Sequence, residues 1–344
     1  MELGKLWGLR RLADKQGRFM MLAVDQRTPM AQMIAVVRGV KIDQVSFKDM
    51  LDVKRSIATT LSSEATGVLI DPNYGVPAAL SEIDVRTGLI ITLEDHRVSE
   101  SEEGRRSHLI DNWDVRSIRN IGADAVKLLV WYRPDTPVAV LQHQQALVES
   151  IGNECRLHDI PLILELLTYP LPKDLRNDGS RAEESYKKPE LVIESVREFA
   201  NPRFGVDLFK LESPVPTTML PARDGTNKSW LAQEHFNEIG EICRRAGKPW
   251  VILSAGVTMQ TFSRVLEYAY AAGASGFLAG RAIWQEAVRE IVRSGEVSAA
   301  LELSVERIRN LCKQARDTAA PWRADYSALL AFQEEGEFSR SYDH

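Results

Sequence analysis

Cysteine is scarce in this chain. Cys155, Cys243 and Cys312 are the only three in 344 residues, each lies in a helix-like segment, and none belongs to a CxxC pair. This argues against both a disulfide framework and a zinc site. Long apolar runs are also missing: no segment has the unbroken length of a membrane span, and the stretch MELGKLWGLRRLADKQGRF lacks the continuous apolar core of a secretory signal. A cytoplasmic protein is expected. Positive charge is not in excess either, the formal balance being -5, so the surface offers no general attraction to nucleic acid or to an anionic membrane. The expected partner is a small molecule. Histidine spacing is uninformative: His96, His108, His143, His158, His235 and His344 form no HxH or HExxH pattern, and Asp71, Glu94, Asp95 and His96 make only an unspecific acidic group. No metal and no cofactor are expected. Internal repeats, low-complexity tracts and domain linkers are absent as well.

What the sequence does have is regular alternation. Short apolar runs recur at Phe19 to Asp25, Gly67 to Asp71, Leu89 to Glu94, Ala125 to Trp131, Pro161 to Leu166, Asp207 to Glu212, Trp250 to Ser254 and Ser275 to Ala279. Between them lie amphipathic stretches at 44–64, about 112–121, 138–158, 188–200, 231–247, 258–272, 282–293 and 298–316, with a weaker start at Val76 to Leu80. Strands alternating with helices imply parallel pairing through right-handed crossovers, and eight units predict a (β/α)8 TIM barrel over 1–316, with a C-terminal helical extension over 317–344. A doubly wound sheet is the alternative. Closure is favoured because polar, reactive side chains recur at the C-terminal ends of many different strands, as the active face of a barrel requires. Two long loops, Tyr169 to Pro189 and Ser213 to Ser229, are expected over the mouth as lids or binding loops. In the extension, a helical stretch is expected over Tyr326 to Glu335, with Trp322 and Tyr326 making a subunit contact or packing on the barrel.

The chemistry centres on Asp207-Leu208-Phe209-Lys210-Leu211-Glu212-Ser213-Pro214, a buried strand with Lys210 and Glu212 on one face. Burial disfavours an ammonium and favours the free amine, which can form a Schiff base with a ketone. The alternative is a lysine whose stem is buried and whose head reaches water at the strand end. On the fifth strand Glu165 is flanked by aliphatics, which predicts a carboxyl pKa raised toward neutrality and suits a general acid/base; pairing with a buried lysine would need the same proximity. On the fourth, Lys127 is a second cation that could disfavour a neighbouring ammonium or hold an oxyanion. Asp25 ends the first strand and either orients the nucleophile, binds a hydroxyl, or caps a turn, and Gln26 and Arg27 are candidate substrate contacts beside it. In the last two units, Ser254-Ala255-Gly256 and Gly280-Arg281 stand where barrels commonly hold a phosphate on backbone N–H groups and a helix N-terminus, or are ordinary turn glycines beside a solvent-facing arginine.

Together the segments LAVDQR (22–27), LIDPNYG (69–75), VKLLVWY (126–132), LILELLTYP (162–170), DLFKLESPV (207–215), VILSAGV (251–257) and GFLAGRAIW (276–284) resemble the class I tagatose-1,6-bisphosphate aldolase family, one of the Schiff-base aldolase barrels. The resemblance runs from about Leu22 to Ala287. It implies Lys210 as the Schiff-base lysine, Glu165 as acid/base, Lys127 as the second lysine of the site, Asp25 and Gln26 as substrate contacts, and Ser254, Gly256, Gly280 and Arg281 as the phosphate site. It further implies metal-independent cleavage of a phosphorylated ketose to dihydroxyacetone phosphate and an aldehyde such as glyceraldehyde 3-phosphate, by a homo-oligomer. The run Thr92-Leu93-Glu94-Asp95-His96-Arg97, the charged Ser99 to Glu103 after it, and the long C-terminal extension depart from the family pattern. A relative in the family cleaves 6-deoxy-6-sulfofructose 1-phosphate, so the distal group could be phosphate or sulfonate. Other readings are a transaldolase or deoxyribose-phosphate aldolase and, outside enzymes, a sugar-phosphate sensor on the same barrel.

Overall fold

Side chains alternate across a β-strand, and in the eight apolar runs both sets are largely hydrophobic, so each strand needs cover on both faces. The computed structural model, which describes residues 2–174, 186–327 and 333–341, shows how that demand is met. The strands are β1 (Phe19–Ala23), β2 (Gly67–Ile70), β3 (Gly88–Thr92), a short antiparallel hairpin of β4 (Ser99–Ser101) and β5 (Gly104–Arg106), then β6 (Ala125–Trp131), β7 (Leu162–Leu167), β8 (Leu208–Leu211), β9 (Trp250–Ile252) and β10 (Gly276–Ala279). All but the hairpin form a closed parallel barrel in the order β1-β10-β9-β8-β7-β6-β3-β2. The (β/α)8 fold is thus present and the open doubly wound sheet is not, since β1 pairs with β10 on one side and β2 on the other.

The helices are α1 (Leu3–Arg11), α2 (Thr28–Arg38), α3 (Phe47–Leu61), α4 (Gly75–Ala79), α5 (Val115–Ile121), α6 (Val138–Leu157), α7 (Pro189–Phe199), α8 (Asn227–Arg245), α9 (Met259–Ala271), α10 (Arg281–Ser294), α11 (Val297–Thr318) and α12 (Glu337–Ser341). Several starts follow from local chemistry: Ser46 and Asp49 form a reciprocal capping box on α3, while Thr226 and Thr258 accept from the backbone N–H groups of Ser229 and Thr261 on α8 and α9. Helices α1 and α2 and the β4–β5 hairpin were not expected. In α1 two glycines mask the pattern; Gly8 is needed because a Cβ there would stand 2.2 Å from the Asp124 carbonyl oxygen. In α2 the apolar residues run around the helix, leaving Val36 81% exposed and blurring the helical spacing.

Within the loop Ser213 to Ser229, Leu220 is tied to α9, where Arg264 Nη1 donates to its carbonyl (3.0 Å). Residues 175–185 of the other loop, and 328–332 of the expected C-terminal helix, lie outside the described residues.

The two pleats of the barrel have different partners. Met20, Leu22, Val68, Ile70, Val126, Leu128, Leu162, Leu164, Phe209 and Leu211 face outward into one large core shared with the helices. Phe19, Met21, Leu69, Ile90, Ala125, Ile163, Leu208, Val251 and Leu278 face inward and pack together with Leu9 of α1 and Leu12 just after it. Helix α1 therefore stoppers the N-terminal end of the barrel. Trp322 joins it, its ring 5.8 Å from Phe19 and its N–H donating to the Gly17 carbonyl (2.8 Å).

One ion pair fixes that stopper. Lys5 Nζ lies 2.9 Å from Asp207 Oδ2, both side chains being about 95% buried or more, and the same oxygen accepts from the Leu162 N–H. Lys5→Met leaves the buried carboxylate only the Leu162 N–H and Lys248 at 4.0 Å, and the expected loss is roughly 3 kcal/mol of unfolding free energy, read from urea melts. An unchanged melt would show that the pair contributes nothing.

Candidate active site

On four of the strands, β1, β6, β7 and β8, the inward pleat turns from apolar to charged within one step. Two residues beyond Ala125, Ile163 and Leu208 come Lys127, Glu165 and Lys210, and beyond Ala23 comes Asp25, so a period of two places all four over the same apolar floor. All are buried, with relative exposures of 1%, 6%, 3% and 7% in that order. Glu165 pairs in register with Lys210 on the neighbouring strand.

Lys127 is the hub. Its Nζ lies 2.6 Å from Glu94 Oε1, 2.8 Å from Glu165 Oε2 and 3.2 Å from Asp25 Oδ2. Glu165 Oε2 also accepts from Lys210 Nζ at 2.9 Å, so one carboxylate oxygen bridges the two lysines. Lys127 thus does not sit bare beside the nucleophile as an anion holder; Glu165 stands between them. Burial lowers the Lys127 pKa, but the charges of Glu165, Glu94 and Asp25 outweigh it and hold the ammonium well above its ordinary range. Burial raises the carboxyl pKa of Asp25 and of Glu165, yet in both the lysine charges prevail and the groups stay ionised below their usual range. For Glu165 this corrects the expectation of a raised pKa: its chain neighbours Leu164 and Leu166 face the outer core, and what it meets in space is two ammonium groups.

Glu94 is the member that sequence reasoning placed elsewhere. Its Oε2 accepts from the Leu129 N–H at 3.0 Å, and its other oxygen faces Lys127 and, at 3.7 Å, Arg27 Nη2. The acidic group Asp71, Glu94, Asp95 and His96 does not converge: Asp71 pairs with Lys54, Asp95 with Arg97 and His96, and Glu94 with Lys127. Arg27 donates to the Glu94 carbonyl oxygen (2.9 Å) and is not among the residues lining the cavity, so its place is behind the site instead of against a substrate. Among the described residues, Asp25 Oδ1, Gln26 Oε1 and Arg27 Nη1 are buried polar atoms without a protein hydrogen-bond partner.

Above this layer opens a cavity of about 300 Å³, lined on one side by Gln26, Ser254, Ala255, Gly256, Gly280 and Arg281, with Lys210 and Glu165 at its base. Ala255 and Gly256 are consecutive left-handed residues (φ 49° and 82°), which curls the backbone into a concave turn. A Cβ on Gly256 would stand 2.9 Å from Arg281 Cζ, so glycine lets the guanidinium lie flat on the turn, where Nη2 donates to the Ala255 carbonyl (3.1 Å). Gly280 caps the N-terminus of α10, and Trp284 Nε1 donates to the Ala23 carbonyl (2.9 Å), tying this corner to β1. Burial lowers the Arg281 pKa, with Glu165 and Asp25 opposing. The corner has the parts of an anion cradle: N–H groups at a helix start, a curled turn and one fork-shaped cation.

The charge network carries its own test. Depressed carboxyl pKa values mean that Asp25 and Glu165 add stability that is fully present above the unfolded values near pH 4, declines below them and is lost as pH falls through the lower folded values. Lys127→Met is expected to cost roughly 3–5 kcal/mol at about pH 7 and to flatten this acid limb, because carboxyls no longer held ionised lose less on protonation. Urea midpoints between about pH 3 and pH 7 read both; an acid limb as steep as the wild type's would contradict the hub.

Three comparisons bear on this geometry. The family model for DeoC/LacD family aldolases matches residues 19–286. Tagatose 1,6-diphosphate aldolase of Listeria monocytogenes is 32% identical over 334 residues, covering 95% of this chain and 96% of its own; the protein of the same name from Streptococcus agalactiae is 33% identical over 324 residues, covering 92% and 96%. Among solved structures, an archaeal fructose 1,6-bisphosphate aldolase superposes with a TM-score of 0.59 at 18% identity, covering 91% of this chain and 99% of its own. Fructose-bisphosphate aldolase from Plasmodium falciparum gives 0.64 at 13% identity, covering 91% and 94%. Spanned from β1 into α10 by the family model and over most of its length by these relatives, the chain belongs to the DeoC/LacD family of aldolases.

Proposed function

We propose that this aldolase cleaves a ketose 1,6-bisphosphate of the tagatose type into dihydroxyacetone phosphate and glyceraldehyde 3-phosphate, through an imine on Lys210. The observation that carries the reading is the 2.9 Å approach of Glu165 Oε2 to Lys210 Nζ at the base of a cavity whose rim is an anion cradle. Relatives named tagatose 1,6-diphosphate aldolase, about a third identical over nearly the whole chain, support the choice of substrate.

In this reading the 1-phosphate rests on the N–H groups of 254–256, the start of α10 and Arg281, which brings the C2 ketone over Lys210. Glu165, ionised at rest, takes a proton from the lysine ammonium, and the free amine adds to C2 to give a carbinolamine. Loss of water with a returned proton leaves a protonated imine, an electron sink. Glu165 then removes the C4 hydroxyl proton, the C3–C4 bond breaks with its electrons passing to the imine nitrogen, and the aldehyde departs. Protonation of the enamine at C3 and hydrolysis release dihydroxyacetone phosphate. Lys127 stays charged throughout and keeps Glu165 aimed. Asp25 keeps one oxygen on Lys127, and its other oxygen, buried without a protein partner, supports a contact to a substrate hydroxyl in this scheme. The scheme asks for no metal and no cofactor. If the sulfonate analogue 6-deoxy-6-sulfofructose 1-phosphate is the substrate instead, the same steps apply and sulfolactaldehyde leaves.

Borohydride reduction in the presence of dihydroxyacetone phosphate and EDTA is expected to fix a mass adduct on the wild type and none on Lys210→Met. A wild type without adduct, with cleavage lost to EDTA, would overturn the imine mechanism. Glu165→Gln is expected to lower kcat/KM by about 10²- to 10⁴-fold, the ordinary worth of a positioned proton-transfer group; a loss below about tenfold would remove it from the proton path.

A further inference from the structure

Opposite the cradle, the cavity wall holds a second buried ion pair. Lys187 Nζ lies 2.6 Å from Glu212 Oε2, with both side chains more than nine-tenths buried. Glu212 is anchored in turn: its Oε1 accepts from the Thr168 N–H at 2.6 Å and from the Thr168 hydroxyl at 2.8 Å. Glu212 stands two residues beyond Lys210, on the same pleat and about 6–7 Å nearer the mouth. Thr168 follows β7 and Lys187 precedes α7, so the pair belongs to the β7 side of Lys210, whereas the cradle belongs to β9 and β10.

That placement sets a direction. A ligand with one anionic end in the cradle and its ketone over Lys210 extends its remaining carbons past Glu165 toward Thr168 and Lys187. Among the described residues lining this cavity the cations are Lys210, Arg281 and Lys187. Lys210 is consumed in the imine and Arg281 holds the first anion, which leaves Lys187 for a second. Glu212, itself pinned by Thr168, keeps the flexible lysine head at the wall instead of letting it reach for bulk water.

We infer that Lys187 is the specificity-determining contact for a tetrahedral oxyanion, phosphate or sulfonate, at the distal end of the ketose, with Glu212 as the residue that positions it. The inference rests on the imine mechanism proposed above and adds to it how a substrate with two anionic ends is told from one with a single phosphate.

The test compares kcat/KM of the wild type, Lys187→Met and Lys187→Arg on tagatose 1,6-bisphosphate, on 6-deoxy-6-sulfofructose 1-phosphate and on a ketose 1-phosphate with no distal anion. Lys187→Met is expected to cut the preference for the better doubly anionic substrate over the monophosphate by about 10- to 100-fold, through KM, the worth of a charged hydrogen bond. Lys187→Arg, which keeps the charge, is expected to hold the preference within about threefold. Which of the two doubly anionic substrates loses its advantage separates phosphate from sulfonate. If all three substrates fall together in Lys187→Met, the residue is structural and the assignment is overturned. An unmoved preference while dihydroxyacetone phosphate still gives the borohydride adduct overturns the Lys187 assignment alone; a wild type without that adduct overturns the imine reading, and this inference with it.

Discussion

A single buried ammonium sets the terms for the rest of the site. Lys127, 1% exposed, could not remain charged in a protein interior without partners, since an isolated buried cation shifts its pKa and neutralises. Its partners come from the end of β1 (Asp25), the end of β3 (Glu94) and the middle of β7 (Glu165). One interaction therefore fixes the relative height of the strands that build half of the barrel mouth. A slip of one residue in any of them would turn the charged side chain to the outer core. With Arg27 and Lys210 added, three cations face three carboxylates, so the layer is neutral as a whole while each member sits in a strong local field.

That neutrality bears on the chemistry. Glu165 has two ammonium groups within hydrogen-bond distance, and both favour its ionised form. A carboxyl raised toward neutrality would rest as an acid; this one rests as a base. The two lysines that share it are not equivalent. Lys127 has three carboxylates around it and gives up its proton reluctantly, whereas Lys210 meets one carboxylate and the open cavity. The asymmetry distinguishes the two lysines without any difference in side-chain type, and the proposed roles of nucleophile and support rest on it.

How much of this could be read from the sequence depended on whether the signal was local. The eight strands show as short apolar runs alternating with amphipathic stretches, and the common pleat of Lys127, Glu165, Lys210 and Asp25 follows from a period of two within each strand. The direction of the Glu165 shift could not be read that way: Leu164 and Leu166 enclose it along the chain but turn their backs on it in space. Glu94 lay within an acidic stretch that pointed to nothing specific, and only the closure of β3 against β6 shows that it faces Lys127. Arg27 sits one residue past Gln26 and is carried behind the site by the start of α2. Lys187 came from a charged loop in which nothing distinguishes one lysine from another until Glu212 is seen beneath it. Helices α1 and α2 escaped for a related reason, because glycines and an all-round apolar surface are explained by tertiary contacts.

The apolar floor completes the account. Residues with no chemistry of their own, Ala125, Ile163, Leu208 and their neighbours on the inward pleat, lie one step below the charged layer and are sealed from beneath by Leu9 and Leu12. They exclude water from one side of every ion pair above them, and in that lower dielectric each contact among Lys127, Glu165 and Lys210 is stronger than it would be at a surface. The same exclusion makes an unpaired charge costly, and each of the six charged groups has at least one oppositely charged partner. The barrel thus divides its labour by height. Apolar packing and the Lys5–Asp207 pair hold the N-terminal end, and six ionised groups occupy the other. Of the buried atoms left without protein partners, Gln26 Oε1 belongs to a residue that lines the cavity, while Asp25 Oδ1 and Arg27 Nη1 lie beneath it.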